Sequence, residues 1–517
     1  MNADLSFRRV FFALLMALLV VGLVGANGGA RVNAASPQPG DKNSGVQTAG
    51  PAEGVFGDAP PAPGSKNSPS AQNPAGSDGA ATRQVPLAGS KNSAARSLNA
   101  SNLAGIAPML AGSSGVIACG VAVNFDWTTT ATSPQVINQC TLSAPVDGYI
   151  FISASGSLAL TDSDYEGLFN LGVDAAAPDG SVDRWVNVYA DAGDGTDETV
   201  ALSVLKPVTA GNHTVYFLGQ RAAGTGTVTV YDPSLSVIFI PAAGSEILAC
   251  GGSGNQNWST TSSTAAVVRS CSLTLPQDGL IFFSADASIA RSDGEFEIHL
   301  QASLDAASPE SAPDRWVNLY NDSGDGTDKS AALSFVRPVS AGAHTFNLLA
   351  SRYAGTATAT LYDPTVSVIY IPLAATRMVA CGDAQHTNHT ISTPSYQVLT
   401  QCTLTVPQSG WVFISADASL GFAAAGAAYE GRFEIGVDNP NGDANTDRWV
   451  NIYTDATDGT DKTVALNAIR YLSAGTHTFY MVGRLASGAG PAQVYDPMIS
   501  VLAPGAQLML PAILKGS

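Results

Sequence analysis

The sequence is short of positive charge, of long apolar runs, of helical periodicity and of recognisable catalytic motifs, and each shortage excludes something. Its 24 Lys and Arg face 42 Asp and Glu, a formal charge of −18, which argues against nucleic acid and against anionic membrane surfaces as partners. Beyond Val24 no stretch approaches the ~20 apolar residues that a membrane helix needs, so no membrane span is expected in the mature chain. No window sustains a 3.6-residue apolar period, which leaves an all-β reading. There is no HExxH run, no GxSxG elbow, no phosphate-cradling Gly loop and no carboxylate pair set apart by apolar neighbours. An enzyme is therefore not expected. An extracellular hydrolase is retained only as the second alternative, because catalytic carboxylates leave faint traces.

Cysteine is also scarce, and its placement is informative. All six fall in three pairs, Cys119 with Cys140, Cys250 with Cys271 and Cys381 with Cys402, each separated by 21 positions. In an oxidising compartment that pattern reads as one disulfide per module. Two thiols with no recurring nearby His fall short of a zinc site. The N-terminus agrees on compartment: Arg8 and Arg9 precede an apolar run from Val10 to Val24, and Val32-Asn33-Ala34 offers small residues for cleavage, so residues 1–34 read as a signal peptide. Residues 35–113 are Ala, Gly, Ser, Pro and Asn with almost no aromatics, and Lys-Asn-Ser recurs at Lys42, Lys66 and Lys91. Such a segment cannot offset its ordering entropy by burial, and it reads as a disordered linker. The localisation expected is secreted and extracellular, with cell-surface association left open.

What the chain has in abundance is repetition. Asp183-Arg-Trp-Val-Asn-Val-Tyr189 returns as Asp314-Arg-Trp-Val-Asn-Leu-Tyr320 and Asp447-Arg-Trp-Val-Asn-Ile-Tyr453, at spacings of 131 and 133 residues. Each copy is long enough to be a domain. The predicted boundaries are 114–243, 244–375 and 376–507, with a tail at 508–517. In the first copy, short β-branched or alternating runs predict strands at 116–119, 136–142, 149–158, 168–173, 185–190, 200–208, 213–220 and 228–240, the last bent at Asp232-Pro233. Eight strands suit an antiparallel two-sheet sandwich, and a jelly roll is the first choice. The fold class is thus three tandem jelly-roll-like β-sandwiches after a signal peptide and linker.

The strand Gly148-Tyr-Ile-Phe-Ile-Ser153, with its copies Gly-Leu-Ile-Phe-Phe-Ser and Gly-Trp-Val-Phe-Ile-Ser, and the Ala-Gly-x-His-Thr turn at 210, 341 and 474, resemble the complement-type and tumour-necrosis-factor-type globular jelly roll. The Asp-Arg-Trp-Val-Asn run and the early disulfide depart from that pattern. The resemblance implies trimerisation, here satisfied inside one chain by its three copies, so that the repeats pack with one another.

Three sets of residues are candidates for chemistry. On a strand, Trp185, Asn187 and Tyr189 share one face, as do Trp316, Asn318 and Tyr320, and Trp449, Asn451 and Tyr453. This face is identical in the three copies, while the opposite one varies among Val188, Leu319 and Ile452. It reads either as a platform that stacks on sugar rings, or as aromatic core with the amide fixing a loop. The Asp191, Asp194, Asp197 run and its copies Asp322, Asp325, Asp328 and Asp455, Asp458, Asp461 make calcium the candidate cofactor, although the spacing is not that of an EF-hand and an Asp-Gly hairpin loop with its carboxylates in water is the simpler reading. The recurring His213, His344 and His477 alternate with apolar residues and read as hydrogen-bonded groups at the core edge. The basic Lys206, Arg337 and Arg470 and the recurring Arg221, Arg352 and Arg484 read as partners for acidic groups. Three equal copies suit avidity. The leading function is multivalent, non-catalytic binding or adhesion, with extracellular polysaccharide or a cell-surface protein as partner. A structural cell-envelope or self-assembling surface protein is the alternative.

Overall fold

Alternation along the chain decides the strands, and two-sided burial decides how the sheets stack. The computed structural model describes residues 117–505 apart from 123–124, 159–161, 181–184, 191–197, 243–245, 253–255, 291–293, 311–315, 322–328, 374–377, 383–386, 423–428, 443–448, 455–461 and 489–490. The first repeat forms β1 (Ile117–Ala122), β2 (Asp126–Thr129), β3 (Gln135–Ala144), β4 (Gly148–Leu158), β5 (Tyr165–Val173), β6 (Trp185–Ala190), β7 (Glu198–Val208), β8 (Gly211–Gly224) and β9 (Val228–Pro241). One sheet has the order β1-β9-β4-β7, with β2 also on β9; the other has the order β3-β8-β5-β6. All pairings are antiparallel.

The strand not foreseen is β2. Opposite it, β9 runs through Asp232, whose φ is 44°, into Pro233. β1 pairs with residues 234–239 and β2 with 228–231, so this bend splits one edge strand in two. Counted as one interrupted strand, β1 and β2 complete the eight-stranded double Greek key of a jelly roll. Asp363 and Asp496 repeat the bend with φ of 46° and 47°. The same strand order recurs in residues 248–372 and 378–504. Among the described residues the chain is all-β, and no helix is long and apolar enough to cross a membrane. The disulfides Cys119–Cys140, Cys250–Cys271 and Cys381–Cys402 are formed, with Cα separations of 5.8, 5.8 and 6.0 Å. The first ties β1 to β3 and so clamps the two sheets of one sandwich at their edge.

β3 alternates, with Leu142 and Ala144 inside and Thr141 and Ser143 exposed. β4 does not: apart from half-buried Tyr149 it is buried on both faces. Ile150, Ile152 and Ala154 enter the core of their own sandwich. Phe151 points the other way, into a cluster shared with Phe282 and Phe413 on the counterpart strands Gly279–Ala290 and Gly410–Phe422. The three rings touch pairwise, edge to face, at centroid distances of 5.4, 5.7 and 5.9 Å. Around them lie Leu205, Val336 and Ile469, again one from each repeat. The three sandwiches therefore close about a common pseudo-threefold axis; the jelly-roll order is found, while nothing among the described residues supports the complement or tumour-necrosis-factor type in particular.

Approach at this axis is tight enough to need glycine. A Cβ on Gly120 would stand 2.2 Å from Ile469 Cγ2, one on Gly251 3.0 Å from Leu205 Cβ, and one on Gly382 2.8 Å from Val336 Cβ. Each repeat's glycine thus seats against a neighbouring repeat.

Truncating one ring of the triangle removes contacts for all three sandwiches. Phe282→Ala is expected to cost about 3–5 kcal/mol, read as a lower urea midpoint, whereas Val267→Ala, at a position 38% exposed, leaves the midpoint within experimental error.

Candidate functional site

β6 presents one face to its own core and one to the next repeat. Val186 and Val188 are fully buried in the first sandwich. On the other face the Asn187 carbonyl accepts from Ser288 Oγ of the second repeat at 3.3 Å, and its side-chain amide donates to Glu166 Oε1. In the second repeat the Asn318 N–H donates to Ser419 Oγ of the third at 3.2 Å, and the Asn318 amide donates to Glu297 Oε1 at 2.6 Å. Trp316 is only 5% exposed. It packs against His299 at 5.0 Å and against Tyr495 of the third repeat at 6.1 Å. Burial in this cluster pushes the pKa of His299 down to about 4. Tyr320 is half-buried, and its hydroxyl donates to Glu295 Oε2 at 3.3 Å.

For Asn187, Trp316 and Asn318, then, the repeated face is neither an open sugar platform nor sandwich core. It is the seam between repeats. A sequence period of two separates two faces but does not reveal that the second is covered by another copy of the same fold. Tyr189 is half-buried on the same face. The side chains of Trp185, Trp449, Asn451 and Tyr453, and the aspartates 191, 194, 197, 322, 325, 328, 455, 458 and 461, lie outside the described residues. Among the described residues no group of three or more His, Cys, Asp or Glu is placed to hold a metal.

The recurring histidines are held alike. His213 meets Asp174 Oδ2 through Nδ1 and the Thr209 carbonyl through Nε2, both at 2.8 Å. His344 does the same with Asp305 and Ser340, and His477 with Asp438 and Ser473. Asp174, Asp305 and Asp438 have φ of 62°, 64° and 57°, and each also accepts from the backbone N–H of the residue after its histidine. A carbonyl can only accept, so at His213 and His477 Nε2 donates to it, and a second proton on Nδ1 completes the bond to the carboxylate. The unit is a structural clasp between the β5–β6 and β7–β8 turns. Burial opposes charge on His213, but the Thr209 carbonyl and Asp174 outweigh it and raise its pKa. His477 is raised likewise, with burial opposed by Asp438 and the Ser473 carbonyl. Of the basic residues, Arg337 pairs with Glu310 at 2.6 Å and Lys206 pairs with Asp179. Arg221 and Arg352 instead donate to loop carbonyls, those of Thr225 and Thr356, both at 2.9 Å.

Composition and spacing gave no warning of the axis itself. Below the Phe triangle lies a small polar cavity of about 30 Å³, lined by Ser153, Ser284, Ser415, Asp286, Asp417 and Asn467 among others. It has room for a water molecule or two, not for a substrate. The available signal was the run Phe-x-Ser-Ala-Asp at 282 and 413, Phe-Ile-Ser-Ala-Ser at 151, in which both faces of the strand avoid strong exposure. At the far end of the third repeat's copy of this strand, Trp411 meets Tyr471 edge on at 5.4 Å, and Tyr471 is 56% exposed.

No protein-family model and no curated protein matches the chain. Among solved structures it is similar to that of Sulfolobus turreted icosahedral virus, at 10% identity and a TM-score of 0.16 over 76% of this chain and 92% of the other. A structure described by the triple jelly roll fold and turret assembly of an archaeal virus gives 10%, 0.15, 76% and 92% in the same order. The tandem CBM22 domains of Paenibacillus barcinonensis Xyn10C give 12%, 0.14, 49% and 91%. At such scores the likeness carries no argument, and the jelly-roll order stands on the strand pairings alone.

A folded-state histidine pKa above the unfolded value near 6.5 adds stability that is complete below that pH and is lost as pH rises through the folded pKa. The stability difference between the native chain and a His213→Gln/His477→Gln variant is therefore expected to be largest near pH 5.5 and to shrink towards pH 8.5, as measured by urea midpoints across that range.

Proposed function

We propose that the chain is an exported, non-catalytic structural protein whose three sandwiches form one preassembled head, made to contact neighbours outside the cell. The supporting observation is the closed Phe151–Phe282–Phe413 triangle. Modules built to bind ligands one by one have no need to bury their most repeated faces in one another. The disulfides accord with an oxidising compartment. Adhesion to extracellular carbohydrate is the second reading, favoured by one observation: exposed Tyr471, backed edge on by half-buried Trp411, offers an aromatic surface suited to stacking on a sugar face.

The test uses the mature chain. Sedimentation over a concentration series is expected to show ordered self-association, and insoluble cellulose, xylan and chitin are expected to retain none of the protein. Trp316→Ala is expected to lower thermal stability through lost packing. Saturable retention on a polysaccharide, abolished by Tyr471→Ala in a still-folded protein, overturns the structural reading in favour of adhesion.

A further inference from the structure

The axis is built from three near-copies, so its departures from threefold identity are informative. They gather at one junction. Between the first and second repeats, the Ser203 N–H donates to Asp286 Oδ2 at 2.8 Å, its hydroxyl donates to the same oxygen, and Thr365 Oγ1 joins at 2.9 Å. Between the second and third, Ser334 Oγ donates to Asp417 Oδ2 at 2.5 Å. Between the third and first, the pattern is reversed. Ser155 stands where the others have Asp, and Asn467 where the others have Ser. The Asn467 N–H and side-chain amide donate to Ser155 Oγ at 3.1 and 2.9 Å, and Ser234 Oγ donates to Asn467 Oδ1 at 2.7 Å. Small faces large at every junction, but here the two have changed sides.

A second change coincides with the first. The strands β7, Lys329–Val339 and Lys462–Leu472 begin with Glu198, Lys329 and Lys462. Lys462 Nζ sits 2.8 Å from Glu198 Oε1, the two side chains being 2% and 12% exposed. Lys329, at the corresponding position of the second repeat, donates to the Tyr320 carbonyl of its own repeat at 3.0 Å. A lysine as buried as Lys462 is costly without a partner of opposite charge.

We propose that Lys462–Glu198 and Asn467–Ser155 form a ring-closing lock, which makes the first repeat the one well-fitting neighbour for the side of the third that carries Lys462 and Asn467. Were the third repeat to seat against a second repeat, Asn467 would meet Asp286 in a space that elsewhere holds Ser and Asp, and Lys462 would approach Lys329. The first costs overpacking and the second unscreened repulsion. The other two junctions are tied by short connections, Pro241 to Leu248 and Pro372 to Met378, whereas the third joins residues 312 apart in sequence. A head-to-tail interface that fails to close runs on from chain to chain, so the untethered junction is where selectivity matters.

The test is a pair of double-mutant cycles in the full mature chain, read by thermal midpoint and by light scattering after refolding from urea. Glu198→Lys and Lys462→Glu are each expected to lower the midpoint by roughly 5–10 °C and to leave oligomers after refolding. The combined reversal is expected to regain most of the loss and to bring light scattering back to that of the native chain refolded at the same concentration. Ser155→Asp and Asn467→Ser are expected to behave the same way, because together they recreate the Ser–Asp pairing of the other junctions. Should Glu198→Lys fail to fold, Glu198→Gln with Lys462→Gln completes the cycle. Singles that match the native chain in both readouts, or doubles no better than the sum of their singles, overturn the lock; so does loss of stability without any oligomer, which makes the pairs merely stabilising.

Discussion

Everything in this head depends on a strand buried on both sides. A sheet in a sandwich needs only one apolar face, and its outer face ordinarily meets water. β4 and its two counterparts instead carry Ile150, Ile281 and Val412 into their own sandwiches and Phe151, Phe282 and Phe413 into a shared core. Once three outer faces are apolar, none of the sandwiches is well solvated alone. The glycines at 120, 251 and 382 and the polar cavity under the Phe triangle are what that closure requires in detail: room for backbones to approach, and hydrogen-bond partners for the hydroxyls and carboxylates that go in with them.

The same constraint explains the sameness of the Trp-Asn-Tyr face. A residue that packs on its own core can trade volume with its neighbours, and Val188, Leu319 and Ile452 do so. At Asn318 the side-chain amide donates to Glu297 Oε1 of its own repeat while the backbone N–H donates to Ser419 Oγ of the next, and Asn187 likewise holds Glu166 through its amide and Ser288 through its backbone carbonyl. Among the described residues the Asn of the first two copies thus keeps the same carboxylate contact beside a seam, which accounts for its identity there by packing and hydrogen bonding.

Much of the fold was legible in the residues. Turn pairs, alternation and the split at Asp232-Pro233 placed every strand of the first repeat except β2, and equal spacing of the cysteines paired them as found. The histidines were read as hydrogen-bonded edge groups, but their partners were not, because Asp174, Asp305 and Asp438 lie 39 residues away and only a left-handed turn aims their carboxylates. The placing of Asn187, Trp316 and Asn318 at a seam was not legible for a different reason. Periodicity tells which residues stand together; what stands opposite them is a property of the assembly. The polar lining of the axis was missed for the same cause, since Ser-Ala-Asp inside an apolar strand looks like a turn residue out of place until three such strands are set around one line.

Placing three copies in one chain changes what the axis can be. In a homotrimer each axial position is the same residue three times, so a charge there meets two like charges and must be neutralised by ions or avoided. A single chain removes that restriction: Glu198 can answer Lys462 while Lys329 turns to a backbone carbonyl, and Ser155 can yield space to Asn467 while Asp286 and Asp417 keep theirs. Pseudo-symmetry of this kind keeps the packing of a symmetric ring and adds an order to its members. The order has physical use only where chain connectivity does not already impose it, which is the junction between the last repeat and the first, and that is where the departures from symmetry are found.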